Sequence, residues 1–124
     1  MKSPHTILLI ERDRLMREGL SALLRAWNFE VIAAADPAGA LRAAGGAVPS
    51  FAIVAAPLGN PEVGVRWVHE VHAGHARLPT ILIADRPAAG KAGSGDWLRI
   101  DWPVQTSGLR AAIAAIVQAD GAEH

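Results

Sequence analysis

The stretch that most restricts this chain is Phe51 to Leu58, FAIVAAPL, an apolar run that ends on a proline and a glycine-bearing turn. Its six apolar residues between Ser50 and Pro57 are too few for a free-standing helix. They suit a strand covered on both faces, as in parallel sheets. The run therefore reads as the central strand. In a doubly wound α/β sheet, chemistry gathers at the carboxyl ends of the strands. Ala55, Ala56 and Pro57 occupy the place where a reactive group is expected, and none of them carries one.

The rest of the chain supplies the partners such a strand requires. Ile7 to Ile10 reads as a buried first strand delivering Glu11, Arg12 and Asp13 at its end. Asp13 can cap a helix in which Leu15, Met16, Leu20, Leu23, Leu24 and Trp27 form one apolar stripe, with Asn28 as a left-handed stop. Phe29 to Ala33 makes a short second strand. Asp36-Pro37 starts a second helix that runs to about Ala44 and ends at Gly45-Gly46. Past the central strand, Gly59-Asn60-Pro61 turns into a third helix with Val65, Val68 and Val71 on its inner face, ending at Gly74. Thr80 to Ala84 is the fourth strand. Glycine and alanine dilute the following DRPAAGKAGSGD segment to a short, mobile fourth helix at most. Trp97 to Asp101 is the fifth strand, and Leu109, Ile113 and Ile116 mark a last helix to about Ala119, with fraying after Asp120. Strand and helix alternate with short connections, which calls for right-handed crossovers. The expected fold is a flavodoxin-like doubly wound five-stranded parallel sheet in the order 2-1-3-4-5, one domain over residues 1–124 with a core from about 6 to 119.

Bulk properties narrow the function. With 51% apolar and 19% charged residues in 124, the chain has the composition of a single folded globule. Twelve basic side chains balance twelve acidic ones. Zero net charge gives no general attraction to nucleic acid or anionic membrane and favours self-association. The absence of cysteine excludes a disulfide framework, a thiolate zinc site and a cysteine nucleophile. The apolar run before Glu11 is too short for a signal peptide core or a membrane span, so a cytoplasmic, soluble protein is expected.

The segment ILLIERDRLMREGLSALLRAWNFEVIAAADPAGAL resembles the opening half of a two-component receiver domain, the CheY-like family of the chemotaxis response regulator. It is most similar to the receivers of hybrid histidine kinases. The likeness runs from Thr6 to about Ala119 and includes REGL in the first helix, the LPTILIAD strand, and WPV where the family has Lys-Pro before its last helix. The resemblance implies phosphoryl transfer from a histidine kinase to an aspartate ending the third strand. An acidic pair after the first strand holds magnesium, and a hydroxyl and a lysine from the fourth and fifth strands read the product. Carried onto this chain, the acidic pair falls on Glu11 and Arg12, and the acceptor on Ala56, or on Ala55 with a different gap near Pro57. The hydroxyl position is Ala84, and the lysine position is Trp102 before Pro103. Only Glu11 keeps its chemical type.

These departures predict a degenerate receiver. Alanine offers no oxygen to phosphorylate, and Arg12 offers magnesium no ligand. A cation about 4 Å from a carboxylate is worth roughly 4 kcal/mol at an effective dielectric near 20, so Arg12 paired with Glu11 or Asp13 would replace the ion's charge balance. With Trp102 as an apolar plug, the pocket would then be closed. The alternative for Arg12 and Glu11 is plain solvation at a strand end. No catalytic residue, cofactor or metal is expected, and the chain reads as a signalling module, not an enzyme. One competing reading is a phosphoryl-accepting regulator that uses Asp13, Asp85 or Asp101; another, small-molecule binding in the vestigial pocket, is allowed by the fold and supported by no anion-binding loop.

Three further features invite function. His69 and His72 share a helical face at a spacing that can hold zinc, but His75 falls beyond the helix, so a solvated face is the better reading. Gly90-Lys91 suggests a phosphate loop, yet Asp85 replaces its first glycine and Ala92 its hydroxyl. Trp97, Arg99, Trp102 and Leu109 fall on the fourth-helix, fifth-strand and fifth-helix face through which receivers dock and dimerise. Tryptophan and arginine are typical of binding hot spots. The resemblance thus implies a protein partner, a histidine kinase or an output domain, and a homodimer through this face. The competing reading has both indoles covering a sheet edge.

Overall fold

The computed structural model describes residues 5–87 and 97–122, with side chains described as far as 118. Five parallel strands form one sheet in the order β2-β1-β3-β4-β5: β1 (Thr6–Ile10), β2 (Glu30–Ala34), β3 (Phe51–Ala55), β4 (Thr80–Ala84) and β5 (Leu98–Asp101). Among the described residues, four helices accompany them: α1 (Arg14–Ala26), α2 (Pro37–Ala44), α3 (Pro61–Gly74) and α4 (Thr106–Ala122). The expected topology is therefore observed. The short fourth helix and the Gly90-Lys91 segment expected from sequence fall on 88–96 and lie outside the described residues.

Strand alternation divides the core into two layers. Leu8, Ile10, Ala52, Val54 and Leu82 face α2 and α3, where Ala40, Ala44, Trp67, Val68 and Val71 complete one cluster. Ile7, Leu9, Phe51, Ile53, Ile81 and Ile83 face α1 and α4, with Leu20, Leu24, Leu109 and Ile113 opposite. β3 and β4 are buried at every residue, as strands covered on both faces must be. Burying each of their valine, leucine, isoleucine and phenylalanine side chains stabilises the fold by about 1.5–3 kcal/mol, so the sheet centre holds the molecule together.

Local chemistry sets the helix ends. Asp13 caps α1 by accepting from the Met16 N–H at 3.0 Å, and Asp36 caps α2 by accepting from Gly39 at 2.7 Å. Asn28, at φ 71°, takes the left-handed conformation expected of it past the end of α1. α3 carries a glycine for a steric reason. A methyl group on Gly64 would come 2.5 Å from the Cβ of Ala56 and 2.9 Å from Leu82 Cδ1. Glycine there lets α3 lie directly on the end of β3. Trp67 is buried in the same layer, and one expectation changes: Leu15, assigned to the apolar stripe of α1, is 79% exposed.

Candidate functional site

At the carboxyl ends of the strands, the sheet opens into a cleft of about 530 Å³. β1 delivers Glu11, Arg12 and Asp13 to it, and the first turn of α1 adds Arg14 and Met16. Ala55, Ala56, Pro57 and Leu58 come from the end of β3, Ile83 from β4, and Trp102 follows β5. The structure thus places Glu11, Arg12, Ala55, Ala56 and Trp102 on one cleft. It leaves out Ala84, which is buried in the α2/α3 layer, and Pro103, which lines a smaller groove beside α1. The pocket is not closed, because no side chain rises from Ala55 or Ala56 to fill it.

The register settles how the two alanines differ. Ile10 pairs with Val54, so one residue further Glu11 lies beside Ala55, and Ala55 packs in the α1/α4 layer. Ala56 packs in the opposite layer, against Gly64, while its N–H donates to the Ile83 carbonyl at 2.8 Å. Ala55 is therefore the alanine that shares a face with Glu11.

Glu11 is 8% exposed. Its Oε2 accepts from the Asp13 N–H at 2.9 Å. Burial pushes its carboxyl above the ordinary 4.5, assisted by the negative charge of Asp13; the hydrogen bond from Asp13 and the Arg17 cation oppose this. Arg12 is not its counter-ion. Arg12 is exposed and makes no ion pair within 4.0 Å among the described residues. The cation that organises the turn is Arg17, whose Nη1 donates to the Glu11 carbonyl at 2.9 Å and to the Arg12 carbonyl at 3.3 Å. Sequence reasoning missed Arg17 because its partners are backbone oxygens, which leave no mark in side-chain spacing.

The candidate contact cluster does not assemble. Trp97 packs on the α2/α3 layer, its indole edge-on to His69 at 5.9 Å, whereas Trp102 packs on the α1/α4 layer. Leu109 is fully buried in that second layer and presents no surface. Arg99 stands on the edge strand, its Nη2 donating to Asp101 at 2.8 Å.

The histidines are likewise separate. His69 meets Trp97, while His72 Nε2 lies 3.0 Å from the Leu78 carbonyl and 3.1 Å from Thr80 Oγ1. Thr80 already donates its hydroxyl hydrogen to Leu78, so the His72 Nε2 carries a proton and donates. Among the described residues, no three His, Cys, Asp or Glu side chains gather to hold a metal ion.

No family model matches the chain, and no curated protein does. Solved structures do match. A CheY-like response regulator receiver domain protein from Methanospirillum hungatei is 17% identical, with 98% of this chain and 100% of that one covered, at a TM-score of 0.81. The chain has the receiver-domain fold. A response regulator receiver protein from Sinorhizobium medicae agrees with it at 20% identity, 94% and 96% coverage and a TM-score of 0.75. So does the signal receiver domain of an HD domain-containing protein from Pseudomonas fluorescens, at 20% identity, 99% and 93% coverage and 0.78. Within the receiver fold, the cleft at the strand ends is a lined pocket whose central strand ends in methyl groups. No described helix is long and apolar enough to cross a membrane.

Proposed function

We propose that this chain is a pseudo-receiver of two-component signalling, a cytoplasmic module that accepts no phosphoryl group, is not an enzyme, and works through contact with a protein partner. One observation carries the reading: the residue beside Glu11 at the end of the central strand is Ala55, which has no oxygen to attack phosphorus. The metal position is equally altered, with Arg12 where a second carboxylate would be needed. A histidine kinase or an output domain is the class of partner. Supporting that class, the Pseudomonas fluorescens domain to which the chain is similar belongs to an HD domain-containing protein. The contact residues in this reading are Trp97, just before β5, and Arg99 within it. Arg99→Ala is the variant with which partner capture tests them.

The second reading uses another aspartate. Asp85 is poorly disposed for it: Oδ2 accepts from the Gly59 N–H at 2.9 Å, and Oδ1 is enclosed. Asp101 is held by Arg99. Asp13 alone of the three lines the cleft. Intact mass after incubation with magnesium and acetyl phosphate separates the readings. The pseudo-receiver shows no adduct beside a standard receiver that labels in the same tube, whereas a stoichiometric, base-labile adduct overturns the proposal, with Asp13 the first peptide to inspect.

A further inference from the structure

The sheet has two edge strands, and they are finished differently. β5 carries Arg99 and Asp101, paired at 2.8 Å, and charges of this kind keep an edge from pairing. β2 carries none from Val31 to Ala34. Glu30 donates its N–H to the His5 carbonyl and Ala34 accepts from the Glu11 N–H, so the even-numbered residues of β2 turn their backbone groups to β1. Those of Val31 and Ala33 therefore point outward. Of these, the Val31 carbonyl alone has a described partner, Arg25 Nη2 at 3.3 Å, and a carbonyl has a second lone pair to offer.

We propose that β2 pairs with β2 of a second copy of this chain, antiparallel about a two-fold axis at Ile32, so that two sheets join into one. The register follows from the groups present. With Ile32 opposite Ile32, Val31 of each copy faces Ala33 of the other, and such a pair exchanges both N–H···O bonds, which uses every outward group of the two residues. Setting Val31 opposite Val31 would aim the Ala33 carbonyl at the Phe29 N–H, already spent on Leu24. Setting Ala33 opposite Ala33 would bring Glu30 toward Asp36, a like charge. In the register centred on Ile32, Glu30 lies opposite Ala34, on the face that α2 covers. Arg42 stands beside that alanine: a Cβ built on Gly39 would lie 3.4 Å from Ala34 Cβ and 3.9 Å from Arg42 Nη2. Asp36 Oδ1, 3.1 Å from the same point, is engaged as the α2 cap. Arg42 makes no ion pair among the described residues, and Glu30 accepts from the Thr6 hydroxyl at 3.3 Å without one. The two-fold axis therefore brings each Glu30 to the Arg42 of the other copy, and zero net charge adds no general repulsion. The inference goes beyond the pseudo-receiver reading and does not depend on it.

Sedimentation equilibrium of the full chain tests it, with a monomer–dimer equilibrium expected. Ala33→Pro deletes an outward N–H and leaves the ladder to β1 complete, so circular dichroism should be unchanged while dimerisation weakens about tenfold or more. Glu30→Arg and Arg42→Glu alter exposed residues. Each should weaken the dimer about fivefold, because symmetry counts every change twice, and the double reversal should restore it. Should Ala33→Pro lose its fold, the charge reversals alone decide. A chain that stays monomeric to about 1 mM overturns the proposal. So does a dimer that a folded Ala33→Pro leaves unchanged, or a double reversal that fails to recover the parent's dimerisation, since either result puts the contact on another face.

Discussion

The carboxyl ends of β1 and β3 are neighbours in the sheet and differ in nearly everything else. β1 ends on Glu11, Arg12 and Asp13, held in shape by the Asp13 N–H on Glu11 and by Arg17 on two carbonyls. β3 ends on Ala55, Ala56 and Pro57, all buried and all without a polar side-chain atom. Both strands lie in the same fully apolar centre, so the difference begins only where they end. Removing a carboxylate from a cleft floor also removes its desolvation cost and its repulsion of neighbours. A cleft floor of methyl groups is therefore easier to hold than one that carries a carboxylate. Glu11 is the carboxylate at this end of the sheet, buried and less readily ionised than usual.

The comparison breaks most sharply if an acid is put back on β3. Ala56→Asp would bury a carboxylate against Gly64 and Leu82 with no partner and no room, since α3 already rests on the Ala56 methyl. An uncompensated buried charge of this kind destabilises by about 3–5 kcal/mol, which a urea midpoint at constant m-value would report. Ala55→Asp should be milder, because α3 packs on the Ala56 methyl and not on the face where Ala55 lies beside Glu11. Equal losses for the two variants would show that the faces have been assigned wrongly.

On the β1 side the next effect is smaller. Asp13→Ala removes the cap on α1 while leaving the backbone N–H that Glu11 accepts. A lost N-cap of this type destabilises by about 0.5–2 kcal/mol. Thermal unfolding should register the loss, and Asp13→Asn should recover most of it, because the amide oxygen still accepts from Met16.

Much of this architecture was legible in the sequence. Short continuous apolar runs placed the strands to within a residue or two, except that β3 stops at Ala55 because Pro57 lacks an N–H and cannot extend the ladder. Asp13, Asn28 and Asp36-Pro37 marked the helix ends because capping is local chemistry. The misjudged cluster was also legible in part. Residues 97 and 102 differ by an odd number, so along a strand they point to opposite faces, and period two separates Trp97 from Trp102. Leu109 shares a helical stripe with Ile113 and Ile116, which already placed it in the core. What no pattern carried was the third dimension of the β1 turn: Arg12 and Arg17 are equally basic, and only the backbone path shows that Arg17 folds back onto it.

The finest test concerns Glu11 itself. Its folded-state affinity for protons is raised above that of the unfolded chain, so the folded state binds the proton more tightly. The resulting stabilisation is fully present below the unfolded value near 4.5 and is lost as pH rises through the higher folded value. Glu11→Gln keeps an oxygen for the Asp13 N–H and has no charge to desolvate. Relative to the parent chain it should therefore gain stability at pH 7, and the gain should shrink as pH falls toward 4.5. Urea titrations of both proteins across that window give the sign directly. A variant less stable than the parent at pH 7 would mean that Arg17, and not burial, governs the carboxylate, and that the end of β1 is electrostatically satisfied instead of short of solvation.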